Sequence, residues 1–153
     1  MHLTPLQLRE ALGLSKEGYR YWQRAIPALA VPKKGGPRAC FDLSDLLATG
    51  LIKQVTNLGV PIGRLTPMAS DIFDTVRHTG WLQLERQTAV LYLDSAQVSF
   101  QIDAVASHEE PTIAIPMAPL VASCRQYLLG EDITPSQQRI PFPPVSVASG
   151  GSR

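Results

Sequence analysis

Lys16, Arg20, Tyr21 and Arg24 recur at spacings that put them along one side of a helix, and Lys33, Lys34 and Arg38 come a short way on. These residue types suit anionic oxygens: ammonium and guanidinium groups donate to phosphate, and a tyrosine hydroxyl can do the same. Arg20 and Arg24 stand one helical turn apart on a common stripe, which reads as phosphate contact. Lys16 and Glu17 stand at the start of the same helix.

The elements that must position these groups are written locally. Thr4-Pro5-Leu6-Gln7 is a helix start, with Thr4 as cap, Pro5 in the first helical position and Gln7 where a capping box returns its bond. Leu8, Ala11 and Leu12 keep a helical period until Gly13 stops it. After a short turn Ser15 caps a second helix. Its Tyr19 and Trp22, three apart, share a face that reads as core, leaving Lys16, Glu17, Arg20 and Arg24 elsewhere. A helix, a three-residue turn and a second helix of this kind form a helix-turn-helix unit.

Beyond Ile26 the helical period disappears. Two short apolar stretches flank Lys33-Lys34-Gly35-Gly36, a pattern that predicts a β-hairpin with a basic tip. Asp42 then caps a third helix with Asp45 in its first turn, and Leu43, Leu46, Leu47, Leu51, Val55 and Leu58 keep the period until Gly59.

Residues 1–66 resemble the DNA-binding domain of MerR-type bacterial regulators. The likeness is carried by Gly13-Leu14-Ser15, by Tyr19-Arg20-Tyr21-Trp22-Gln23-Arg24, and by Phe41-Asp42-Leu43-Ser44-Asp45-Leu46 with Leu58-Gly59-Val60-Pro61-Ile62 after it. It implies a winged helix-turn-helix whose second helix enters the major groove. Ser15, Lys16, Glu17, Arg20, Tyr21 and Arg24 would then contact DNA from that helix, and Lys33, Lys34 and Arg38 from the wing. Gly18 takes a side chain away from the reading face. Where relatives show a Gly-Tyr-Arg-x-Tyr run, this chain has Pro37-Arg38-Ala39-Cys40-Phe41.

Pro61–Leu65 reads as one helical turn, and Thr66-Pro67 repeats the cap-then-proline signal of Thr4-Pro5. Leu65, Met68, Ala69, Ile72 and Val76 make an apolar stripe that ends before Gly80, a connecting or dimerisation helix. In the MerR type a long helix here pairs two subunits; this one, about 21 Å long at the usual rise, is short for that. The period then changes to that of strands: Ala89–Leu93 is a continuous apolar run, Asp94-Ser95 a turn, and Val98, Phe100 and Ile102 alternate with polar residues so as to face the core. Thr112–Ile115 is a third strand. Residues 118–129 form a helix with Leu120, Val121, Cys124 and Leu128 inward. The tail from residue 134, rich in Pro, Ser and Gly, reads as disordered.

The fold class expected is therefore α+β: a winged helix-turn-helix (1–66), a helix (67–80), a small antiparallel sheet with one packed helix (81–133), and a tail (134–153). The net charge of +1 conceals an asymmetry. Residues 1–66 hold nine Lys and Arg against four Asp and Glu, a net of +5, whereas residues 67–153 hold five against nine, a net of −4. The basic front suits a phosphate backbone, and the acidic remainder would be repelled by it.

No apolar run is long enough to cross a bilayer and the N-terminal stretch lacks the charged and apolar segments of a signal peptide, so the expected setting is the bacterial cytoplasm and nucleoid. Cys40 and Cys124 read as reduced thiols, and with His2, His78 and His108 scattered no metal spacing appears. Cys124 meeting His78 or His108 in the fold would be the one exception. No nucleophile elbow, phosphate loop or dinucleotide fingerprint is present, so no enzyme and no cofactor are expected. The expected function is a sequence-specific, double-stranded DNA-binding transcriptional regulator acting as a homodimer. The C-terminal module would join subunits or bind a small effector, and the absence of clustered polar residues in its strands favours the former. Two other readings are an excisionase-like DNA-bending accessory and a protein-binding adaptor that keeps the winged fold.

Overall fold

The computed structural model of the chain describes residues 2–30, 41–102 and 109–129. Helix α1, Pro5–Leu12, starts in a full capping box: Thr4 Oγ1 accepts from the Gln7 amide at 3.2 Å and Gln7 Oε1 accepts from the Thr4 amide at 2.9 Å. Gly13 ends it in the left-handed region at φ 68°, a conformation that costs glycine no Cβ clash. Helix α2, Lys16–Ala25, begins where Ser15 Oγ accepts from the Gly18 amide at 3.0 Å.

The chain then turns at Ile26 into α3, Pro27–Ala30, a single helical turn with Leu29 fully buried. This corrects the apolar strand expected before Lys33. Pro27 presets helical φ, alanine and leucine favour the helix, and the Leu29 amide bonds the Ile26 carbonyl at 3.0 Å. The rest of the expected hairpin, Lys33, Lys34 and Arg38 included, lies outside the described residues. Where the description resumes, Phe41 pairs with Leu3 in an isolated antiparallel bridge, with two bonds of 2.7 Å.

Helix α4, Leu43–Asn57, is the central element, with ten of its fifteen residues buried. A second capping box opens it: Asp42 and Asp45 each accept from the other's backbone amide at 2.9 Å. Helix α5, Ile62–His78, runs without a break through Thr66-Pro67, so the second start expected there does not exist. Thr66 Oγ1 donates to the Ile62 carbonyl at 3.3 Å instead of capping. Pro67 removes the bond to the Gly63 carbonyl, which is tolerable because Gly63 is exposed and water can take that place. The apolar residues of α5 are buried in their own chain, against α2, α3, α4 and the sheet.

A short helix α6, Trp81–Leu84, leads into strands β1 (Thr88–Tyr92), β2 (Gln97–Gln101) and β3 (Thr112–Pro116), and α7, Met117–Leu129, comes last. The sheet is antiparallel in the order β2-β1-β3. In register, Ala89 faces Phe100 and Ile115, and Leu91 faces Val98 and Ile113; these six form the core side. Val90 points the other way, between Ser99 and Ala114, yet is fully buried. Its position in the central strand explains why β1 is apolar without alternation. Ile102, expected inward, is 70% exposed because β2 has ended before it.

Among the described residues the architecture is α+β, seven helices and one three-stranded sheet. One continuous hydrophobic cluster runs from Leu3 to Cys124, with α7 packed on α4. No described helix is long and apolar enough to cross a membrane.

Candidate nucleic-acid interface

Helix α2 divides its residues sharply. Tyr19 and Trp22, each 6% exposed, lock it onto α3 and α5, and Gln23 Nε2 donates to the Leu29 carbonyl at 3.4 Å. Burial fixes the rotation of the helix, and the opposite side is thereby turned to solvent. On that side Lys16, Glu17, Arg20, Tyr21 and Arg24 are all exposed. At about 100° per residue the three cations drift through only about 80°, over about 12 Å of axis. Each strand of B-DNA carries a charge every 3.4 Å or so, so the row matches a run of a few phosphates.

Among the described residues, Lys16, Arg20 and Arg24 form no ion pair, whereas Arg64, Arg77 and Arg125 each do. Cations that keep their full charge on a helix face are the ones able to release counterions from a polyanion. Tyr21 leaves 57% of its surface open beside them, enough for its hydroxyl to donate outward. Glu17 sits in the first turn, where the helix dipole favours an acid, and lowers the net charge of the face. Ser15 is used by the backbone as the cap, keeping its hydroxyl hydrogen for a further acceptor. Gly18 is half-buried and turned towards that cap: a Cβ there would stand 3.0 Å from Ser15 Oγ.

The structure thus brings together Ser15, Lys16, Glu17, Arg20, Tyr21 and Arg24, on one helix. Compared with protein-family models, with curated proteins and with solved structures, the chain matches none.

Two residues behind α2, Asp45 and Tyr19, have tertiary surroundings that no local pattern announced. Asp45, 3% exposed, accepts at Oδ1 from Arg77 Nη2 at 3.4 Å, and Arg77 also lies 3.8 Å from Asp74. This ties the start of α4 to the end of α5, which supports α2 from behind. The Tyr19 hydroxyl is buried without a hydrogen-bond partner, and burial pushes its pKa up. Elsewhere, Cys124 is a free, fully buried thiol with its pKa pushed up by desolvation to about 12. His78 is exposed, with Nδ1 2.7 Å from the Asp74 carbonyl, so it does not meet Cys124. His108 lies outside the described residues. No group of three His, Cys, Asp or Glu among the described residues is placed to hold a metal.

Proposed function

We propose that this chain is a sequence-specific, double-stranded DNA-binding transcriptional regulator of the MerR-like winged helix-turn-helix kind, acting in the bacterial cytoplasm as a homodimer. One observation carries the reading: an amphipathic α2, capped by Ser15 after a tight turn from α1, exposes Lys16, Arg20, Tyr21 and Arg24 with no competing carboxylate partner among the described residues. Helix α2 would lie in the major groove. Arg20, Tyr21 and Arg24 would hold phosphates, and Lys16 and Glu17 would meet base edges at its N-terminal end. Lys33, Lys34 and Arg38 would add phosphate contacts beside the groove. The net of +5 in residues 1–66 against −4 in residues 67–153 would orient the approach, basic end first.

The test is binding of the purified chain to fragmented genomic DNA across a salt series. Enrichment of particular fragments, near promoters and spaced as two half-sites about one helical turn apart, is the expected result. Fragments confined to recombination sites would move the chain to the excisionase-like class. No duplex affinity even at low salt would overturn DNA binding and leave the protein-binding adaptor.

A further inference from the structure

A second copy of the chain finds no free apolar side on α5. The stripe of that helix, Ile62 through Val76, is buried within its own chain, and Arg64, Asp71, Asp74 and Arg77 are left outward. The sheet, by contrast, is open along one side. Strand β2 lies at its edge, and among the described residues no hydrogen bond reaches the backbone groups that it turns away from β1. The core-side residues of β2 show the same gap: Val98 and Phe100 stay half-exposed, while Leu91 and Ala89, opposite them in β1, are fully buried. A row of unpaired amides and carbonyls suits one kind of occupant, another extended strand.

The order of the residues says which strand. Gln97-Val98-Ser99-Phe100-Gln101 reads nearly the same in both directions. Antiparallel pairing with its own copy about a two-fold axis at Ser99 sets Gln97 against Gln101, Val98 against Phe100 and Ser99 against Ser99. Polar side chains then meet on one face, where the amides can bond across the axis, and valine meets phenylalanine on the other, where they extend the core. The same register brings Ile102, 70% exposed, beside Ala96 of the second copy. Strand β2 has none of the devices that keep an edge single: it holds no charge, no proline and no bulge in its register with β1. The opposite edge is guarded, since β3 follows Pro111 and ends in Pro116, neither of which has an amide hydrogen to give. Pairing through β2 therefore closes at two copies.

We propose that two copies of this chain pair along β2, antiparallel about Ser99, joining their three-stranded sheets into one. The inference rests on the homodimeric part of the reading above and adds the place and register of the contact. Five residues a side make a small interface, so pairing is expected at micromolar concentration.

Sedimentation equilibrium of the full chain, without DNA and at low salt, tests it with two charge variants. In Gln97→Lys/Gln101→Lys the register opposes like charges at two places, and in Gln97→Lys/Gln101→Glu it opposes unlike charges at the same two. Wild type is expected at twice the chain mass. The first variant should pair about tenfold more weakly and the second within about threefold of wild type, both with unchanged far-UV circular dichroism. A wild type that stays monomeric throughout, or two variants that pair equally well, overturns the proposal. Because mass is read without DNA, a chain that pairs along β2 yet ignores duplex DNA would sink the regulator reading alone.

Discussion

Replacing Arg20 and Arg24 together by Ala removes two of the three cations in the α2 row and touches nothing in the core, since both side chains are exposed. Each phosphate that is no longer neutralised flattens the dependence of log affinity on log salt by about 0.9. Two per chain therefore give about 1.8, and a dimer with both helices seated gives about 3.6. Over a fourfold rise in salt, the ratio of wild-type to variant affinity should contract by about 150-fold, so the defect is large at low salt and fades at high salt. Fluorescence anisotropy with a selected duplex, titrated at several salt concentrations, reads this directly. Arg86→Ala is the control: the removal of one charge per chain from an exposed arginine in the acidic half should leave the slope unchanged. Stability of the α2 variant should stay within about 0.5 kcal/mol, because alanine favours an exposed helix. Equal slopes for wild type and the double variant, or an equal effect of Arg86→Ala, would refute the assignment of α2.

Asp45→Ala should lower stability by about 2 kcal/mol, one part for the cap to the Asp42 amide and a smaller part for Arg77, whose 36% side-chain exposure screens the pair. Thermal denaturation should show this as a fall of roughly 6 °C for a chain of this size. Ser15→Ala removes the α2 cap and should cost about 1 kcal/mol in urea unfolding while weakening DNA binding, through a looser helix start. Cys124 should resist thiol reagents in the native state and react only on unfolding. Its folded pKa of about 12 stands above the ordinary 9.0, so its contribution is intact below pH 9 and is lost as pH rises towards 12. Chemical denaturation at pH 8 and pH 10 should therefore show wild type losing roughly 1 kcal/mol more than Cys124→Ala.

The local signals were legible because their physics spans only a few residues. Thr4 with Gln7, Ser15, and Asp42 with Asp45 satisfy amides within one turn of themselves, and the structure has all three caps. The 3.6-residue period assigned Tyr19 and Trp22 to the core and Arg20 and Arg24 to solvent, as found. The errors have a common cause. Thr66-Pro67 carries the same local signal as Thr4-Pro5, but the stripe from Ile62 to Val76 gains more by packing as one helix than by restarting. Pro27–Ala30 lacked periodicity at four residues and took its helical turn from the burial of Leu29. Alternation pointed Ile102 inward, although no strand continues far enough to hold it there.

By itself, then, the sequence determined where α1, α2 and α4 start, which sides of them are apolar, and that a cationic row would lie on α2, because capping, periodicity and charge act between near neighbours. Tertiary structure alone decided that Asp45 meets Arg77 across 32 positions, that Val90 fills a central strand, and that α7 joins α4 in one core. It also decided which apolar residues stay uncovered. Leu82 and Leu129 look no different in sequence from the buried leucines, and only packing leaves them facing water.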